Sequence, residues 1–185
     1  MKRIISLLLP AAFLFACNAN DATVKGSADS VNTASTETEP ETETVSLPYT
    51  VAKTPDWERG SLANVALAMN TLKAYADNNM TGMGEYLADS VEFYTDNIAI
   101  KGSRDSLVKF FTKNRNLMDT VSIRMHDYES VRSKSRGEEW VGLWYTETDK
   151  IKGSPIDSSL FMDDIKIVNG KVAVIDSKGR RLVKK

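Results

Sequence analysis

Ser159-Leu160-Phe161-Met162-Asp163-Asp164-Ile165-Lys166-Ile167-Val168-Asn169-Gly170-Lys171-Val172-Ala173-Val174-Ile175-Asp176 is the stretch that decides the fold of this chain. Apolar and polar side chains alternate on both sides of Asn169-Gly170, the period of a half-buried strand. Asn-Gly is the strongest short hairpin signal, because a two-residue turn needs positive φ at both positions. Two earlier runs, Val121 to Arg132 and Glu139 to Lys150, alternate in the same way. Gly137 and Gly153-Ser154-Pro155 punctuate them. The second half of the chain therefore reads as a meander of four antiparallel strands.

Before residue 120 the period is helical. Leu62, Val65, Ala66, Met69, Leu72 and Ala76 recur at three- and four-residue steps, predicting a helix from Glu58 or Ser61 to Asn78. A short second helix is expected over Met83 to Ala88, and a strand over Val91 to Thr95. Gly102 breaks the chain. Ser103 then stands as an N-cap, with Asp105 in the first turn of a helix running from Arg104 to about Met118. Helices followed by a meander indicate an α+β domain whose curled sheet wraps the helices.

The amino-terminal third has a different character. Lys2 and Arg3 precede an apolar run, Ile4 to Leu9 and Ala11 to Phe15, which ends at Ala16-Cys17. That is the pattern of a secretory signal and is shorter than the roughly 20 apolar residues a membrane span needs. Leu14-Phe15-Ala16-Cys17 resembles a bacterial lipobox, although Phe15 is bulky for its slot; a plain signal peptide is the alternative. The resemblance implies lipidation of Cys17, with cleavage before it and anchoring in the cell envelope, expected at the outer membrane. Cys17 is the only cysteine, so the rest of the chain forms no disulfide. Residues 18–54 are rich in Ser, Thr, Asn, Ala and Glu, centred on Thr36-Glu37-Thr38-Glu39-Pro40-Glu41-Thr42-Glu43-Thr44. Such a segment buries too little apolar surface to offset its ordering entropy. It reads as an acidic tether with a root-mean-square span of about 35 Å.

Residues 55–185 then form the domain. Six acids and three bases precede residue 51, out of 25 acids and 24 bases in all, which leaves 19 acids and 21 bases beyond it. This near-neutral balance argues against nucleic acid as a partner. The cluster Lys178, Arg180, Arg181, Lys184 and Lys185 reads as a frayed, solvated tail.

Three stretches carry a resemblance to a known family. Tyr75 to Val91 resembles the first-helix signature of the nuclear transport factor 2-like superfamily, in its SnoaL-like branch. Lys101-Gly102-Ser103-Arg104-Asp105-Ser106-Leu107-Val108-Lys109-Phe110-Phe111 resembles its glycine-led second helix, and Asp164 to Val172 its closing hairpin. The resemblance covers Ser61 to Asp176. It implies a cone, the cystatin-like roll, in which a curved antiparallel sheet packs on N-terminal helices around an apolar pocket. Ketosteroid isomerase, scytalone dehydratase, limonene-epoxide hydrolase and polyketide cyclases share that fold with binding and scaffolding proteins, so it does not settle function.

Asp163 is the leading candidate for chemistry. It shares a strand face with Phe161, Ile165 and Ile167, where lost solvation raises a carboxyl pKa. A protonated carboxyl can donate to an oxyanion, and the resemblance puts Asp163 at the position of ketosteroid isomerase's oxyanion-hole aspartate. The plainer reading is a solvated or ion-paired carboxylate at a sheet edge. The rest of that isomerase site does not transfer. Its base falls near Thr95, a poor base, with Asp96 on the opposite face. Its tyrosine falls near Thr71, with Tyr75 one turn later. Trp140, Gly142, Trp144 and Thr146 share one face of their strand, and Val141, Leu143 and Tyr145 the other; the resemblance points the tryptophans into the pocket. The expected ligand-binding set is Tyr75, Phe93, Thr95, Phe110, Trp140, Trp144 and Phe161. His126, the sole histidine, shares a polar face with Ser122, Arg124 and Tyr128 and is expected in solvent. One histidine and one lipidated cysteine do not assemble a zinc site, and no phosphate or calcium loop is present. No metal and no cofactor are expected.

The reading that follows is a membrane-tethered module binding a small apolar ligand or a protein partner without turnover. It would dimerise through the outer sheet face, with Leu143 and Tyr145 in the contact. The alternative is a lyase, isomerase or cyclase using Asp163 as acid in an apolar pocket. A third reading is an assembly protein with a filled pocket.

Overall fold

A computed structural model describes residues 46–53 and 55–182. Cys17, the lipobox, nearly all of the 18–54 segment, and Lys184 and Lys185 lie outside the described residues. Tyr49–Lys185 form one unit, separate from Met1–Pro48.

The elements follow in order as β1 (Trp57–Arg59), α1 (Leu62–Ala76), α2 (Met80–Tyr86), β2 (Leu87–Tyr94), β3 (Ala99–Ser103) and α3 (Arg104–Arg115). Four long strands come next: β4 (Met118–Ser133), β5 (Glu139–Ile151), β6 (Asp157–Val168) and β7 (Lys171–Arg181). They build one curved, unclosed seven-stranded sheet in the order β1-β4-β5-β6-β7-β2-β3. All neighbouring strands run antiparallel except β2 and β7, which are parallel.

Local chemistry sets the boundaries. Ser61 caps α1 by accepting the Ala63 N–H at 3.1 Å. Asn78, at φ 60°, turns the chain out of α1, and Asn79 caps α2 by accepting the Gly82 N–H. Ser103 caps α3 as its position predicts, with Asp105 in the first turn and Lys113 and Arg115 in the last. α3 stops at Arg115, and Met118 opens β4 instead. The hairpin turn has Asn169 at φ 51° and Gly170 at φ 68°, pairing Val168 with Lys171.

Two strands escape the alternation signal. β1 is three residues long and pairs with the end of β4. β3 contains Gly102, which reads as a breaker. The basic cluster is also corrected: β7 runs through Arg181. Lys178 lies 2.9 Å from Asp164 on β6 and from Asp176 on β7 itself, and Arg181 pairs with Asp157 at 2.6 Å, so the ladder with β6 and these ion pairs order what reads as a tail.

The helices cover one sheet face. Val65 and Ala68 of α1 and Leu107 of α3 pack on Val91 and Phe93 of β2, Leu143 of β5 and Ile165 of β6. Leu143 and Tyr145, expected on the outer face, point into this core, with exposures of 0% and 3%.

Candidate functional site

Between α1 and the inner sheet face lies a cavity of about 180 Å³. Alternation along the central strands aims its floor: Tyr145 and Glu147 from β5, Phe161 and Asp163 from β6, Ser177 from β7. The helical side supplies Thr71, Leu72 and Tyr75 from α1. Phe93, Thr95 and Phe111 line it further. Tyr145 and Phe161 stack at 5.5 Å, and Phe111 meets Phe93 and Tyr75 edge-on at 4.9 and 5.6 Å.

Asp163 is 5% exposed. The Tyr145 hydroxyl donates to one of its carboxylate oxygens at 2.9 Å and the Ser177 hydroxyl to the other at 2.6 Å. Burial raises its pKa from 3.8 to about 6 against the pull of those two hydroxyls. The group is therefore largely ionised at neutral pH, with each oxygen already accepting. That geometry suits a structural acceptor better than the oxyanion donor expected from the sequence. Tyr145 is correspondingly pushed well above the ordinary phenol range, first by burial and then by the Asp163 charge.

Glu147 differs. Its backbone lies in the ladder between Ile123 and Ser159, but among the described residues no group hydrogen-bonds its carboxyl. Burial, then the Asp149 and Asp163 carboxylates, raise it to about 7; Arg115 opposes them. Tyr75 is also raised by burial and by Glu147, and its hydroxyl meets the Met118 sulfur at 3.6 Å. Arg115 is itself buried and donates to the backbone oxygens of Tyr75, Ala76 and Met118 at 3.1–3.3 Å, closing the end of α1.

The residues singled out from the sequence divide. Tyr75, Phe93, Thr95, Phe161 and Asp163 come together around the cavity. Thr95 accepts hydrogen bonds from the Asn97 and Ile98 N–H groups, so its hydroxyl holds a turn. Phe110 sits behind the wall, 5.9 Å from Phe93. Trp140 and Trp144 face away, which corrects the expected orientation. Val141, Leu143, Tyr145 and Glu147 take the inner face, while the Lys166 ammonium lies over Trp140 at 5.5 Å. A Cβ at Gly142 would stand 2.9 Å from the Trp144 ring, so that glycine makes room for its neighbour's indole. His126 is exposed, as expected, and bonds Thr146 at 2.8 Å. It forms a bulge in β4, after which Tyr128 pairs with Leu143 and no longer shares the face of Arg124.

Glu147, Ser177 and Phe111 were missed. Glu147 had a signal: it continues the Val141, Leu143, Tyr145 set, a carboxyl in step with apolar neighbours. Among the described residues no three His, Cys, Asp or Glu side chains converge as a metal site requires, and no helix is long and apolar enough to cross a membrane.

No family model and no curated protein matches the sequence. Solved structures do match. An epoxide hydrolase resembling limonene-epoxide hydrolase, from M. tuberculosis, superposes with a TM-score of 0.54 at 10% identity, over 65% of this chain and 84% of that one. A putative ketosteroid isomerase from Kribbella flavida gives 0.52 at 11%, over 69% and 84%. A nuclear transport factor 2-like protein from Burkholderia xenovorans gives 0.50 at 14%, over 66% and 93%. The chain thus shares the fold of these structures, the curved sheet on helices of nuclear transport factor 2-like proteins. In this fold the cavity occupies the hollow of the curved sheet under α1.

Proposed function

We propose that the chain is an exported lipoprotein, tethered to the cell envelope through Cys17, whose nuclear transport factor 2-like domain binds a small, mostly apolar ligand without converting it. One observation carries the reading: most polar groups of an otherwise apolar, ring-walled cavity are already engaged. Asp163 is held by Tyr145 and Ser177, the Thr71 hydroxyl donates to the Leu67 oxygen, and Thr95 holds its turn. A site so arranged keeps its shape and offers shelter more than chemistry. Apolar sheet surface outside the cavity is assigned to a second copy of the chain.

Turnover is the rival reading, and Glu147 is what favours it: an unengaged carboxyl that titrates near neutrality can move a proton. Two fold neighbours are named as an epoxide hydrolase and a putative isomerase; at such identities they support shape alone. Native mass spectrometry of the full chain separates the readings. Binding predicts a small molecule retained without change and absent from the cavity-filling variant Leu72→Trp. A chain that retains nothing, and takes up nothing from a panel of small apolar metabolites, overturns the proposal; recovery of an altered compound favours the enzyme.

A further inference from the structure

We propose that the ligand selected by this cavity is a small organic cation, an ammonium group on an apolar body about the size of a benzene ring, with the nitrogen against Glu147. The proposal rests on the binding reading above and adds the ligand's charge. The lining contains two carboxyl groups and no Lys, Arg or His. The two bases that act on these acids from behind the wall are engaged elsewhere: Arg115 donates to three backbone oxygens, and Lys178 pairs with Asp164 and Asp176. No base in the cavity wall stands against the acids, and an entering anion would meet their negative charge with no cation in the lining to receive it. A neutral apolar ligand would strip water from Glu147 and return nothing. An ammonium supplies N–H donors to oxygens that accept from no described residue, together with the opposite charge.

The walls suit the rest of such a ligand. Tyr75, Phe93, Phe111, Tyr145 and Phe161 present ring faces and edges around the same space, and a cation within about 6 Å of a ring face gains further attraction. Size sets the body. A dry cavity of about 150 Å³ holds benzene, so 180 Å³ admits one ring with a short substituent. Glu147 takes the nitrogen because both Asp163 oxygens already accept hydroxyl hydrogen bonds.

Calorimetric titration of the full chain at pH 8 with benzylamine, benzyl alcohol and benzoate tests this. Benzylamine should bind at least about tenfold more tightly than benzyl alcohol, and benzoate should not bind. Glu147→Gln should erase the preference for the amine and melt no lower than the parent. Equal affinities for amine and alcohol in the parent would overturn the cation while leaving the apolar-ligand reading standing. So would a preference that survives Glu147→Gln. Silence from all three probes would overturn both.

Discussion

A single carboxyl, Asp163, shows how burial and hydrogen bonding compete in this core. Its folded pKa of about 6 stands above the ordinary 3.8. The folded form therefore holds its proton more tightly than the unfolded chain. The associated stability is complete below the ordinary value and is lost as pH rises through about 6. Relative to Asp163→Asn, the parent should lose on the order of 2 kcal/mol of unfolding free energy between pH 4 and pH 7. Urea unfolding across that range measures it, and a constant difference between the two proteins would show that the hydroxyls of Tyr145 and Ser177 fully offset burial. The inward position of Asp163 was legible because β6 alternates cleanly, with Phe161, Ile165 and Ile167 on the same side. β5 was not legible to the same degree. Both of its faces are apolar, so alternation divides Trp140 and Trp144 from Leu143 and Tyr145 without saying which set meets the helices. Cover from α1 and α3 decides that, and it lies far off in sequence. Glu147 went unrecognised for the same reason.

Elements whose signals are local were read well, and those held by distant partners were not. The Asn169-Gly170 hairpin and the Ser103 cap depend on neighbouring residues alone. β1, by contrast, exists only because the end of β4 offers it an edge, and the last residues of β7 are ordered by Asp157 and Asp164 on β6. The β6–β7 pair also builds the cavity wall in a way no single strand reveals. Gly179 lies opposite Phe161, and a Cβ there would fall 2.6 Å from the ring that stacks on Tyr145 from the other neighbouring strand. The absence of a side chain at Gly179 thus leaves room for the ring beside the neighbouring strand. Gly179→Ala should force the ring off its seat and destabilise the protein by about 1–3 kcal/mol, the usual cost of overpacking. It should also weaken binding of any cavity ligand. An unchanged denaturation midpoint would mean that Phe161 moves freely and that the wall is soft.

For the folded unit as a whole, the decisive asymmetry is that the three helices among the described residues pack on one side of the sheet. The other side of its centre carries Trp144 opposite Met162 and Thr146 opposite Leu160, with Met162 38% exposed. Ion pairs border this strip: Lys178 with Asp164 and Asp176, and Glu138 with Lys166 and Arg136. An apolar centre with a charged rim is the anatomy of a contact between proteins. Self-association fits it well, because the strip itself bears no net repulsive charge and a two-fold axis would lay it against its own copy. The protein should sediment as a dimer. Met162→Lys should halve the sedimenting mass, since a charge in the middle of the contact would be desolvated in both copies at once. The melting temperature of the variant at low protein concentration should stay close to that of the parent, because the substituted side chain faces outward and touches none of the core. A parent that sediments as a monomer at every concentration would remove the dimer and leave the strip to a different protein partner. The cavity would be untouched by that result, because its walls all come from the opposite face.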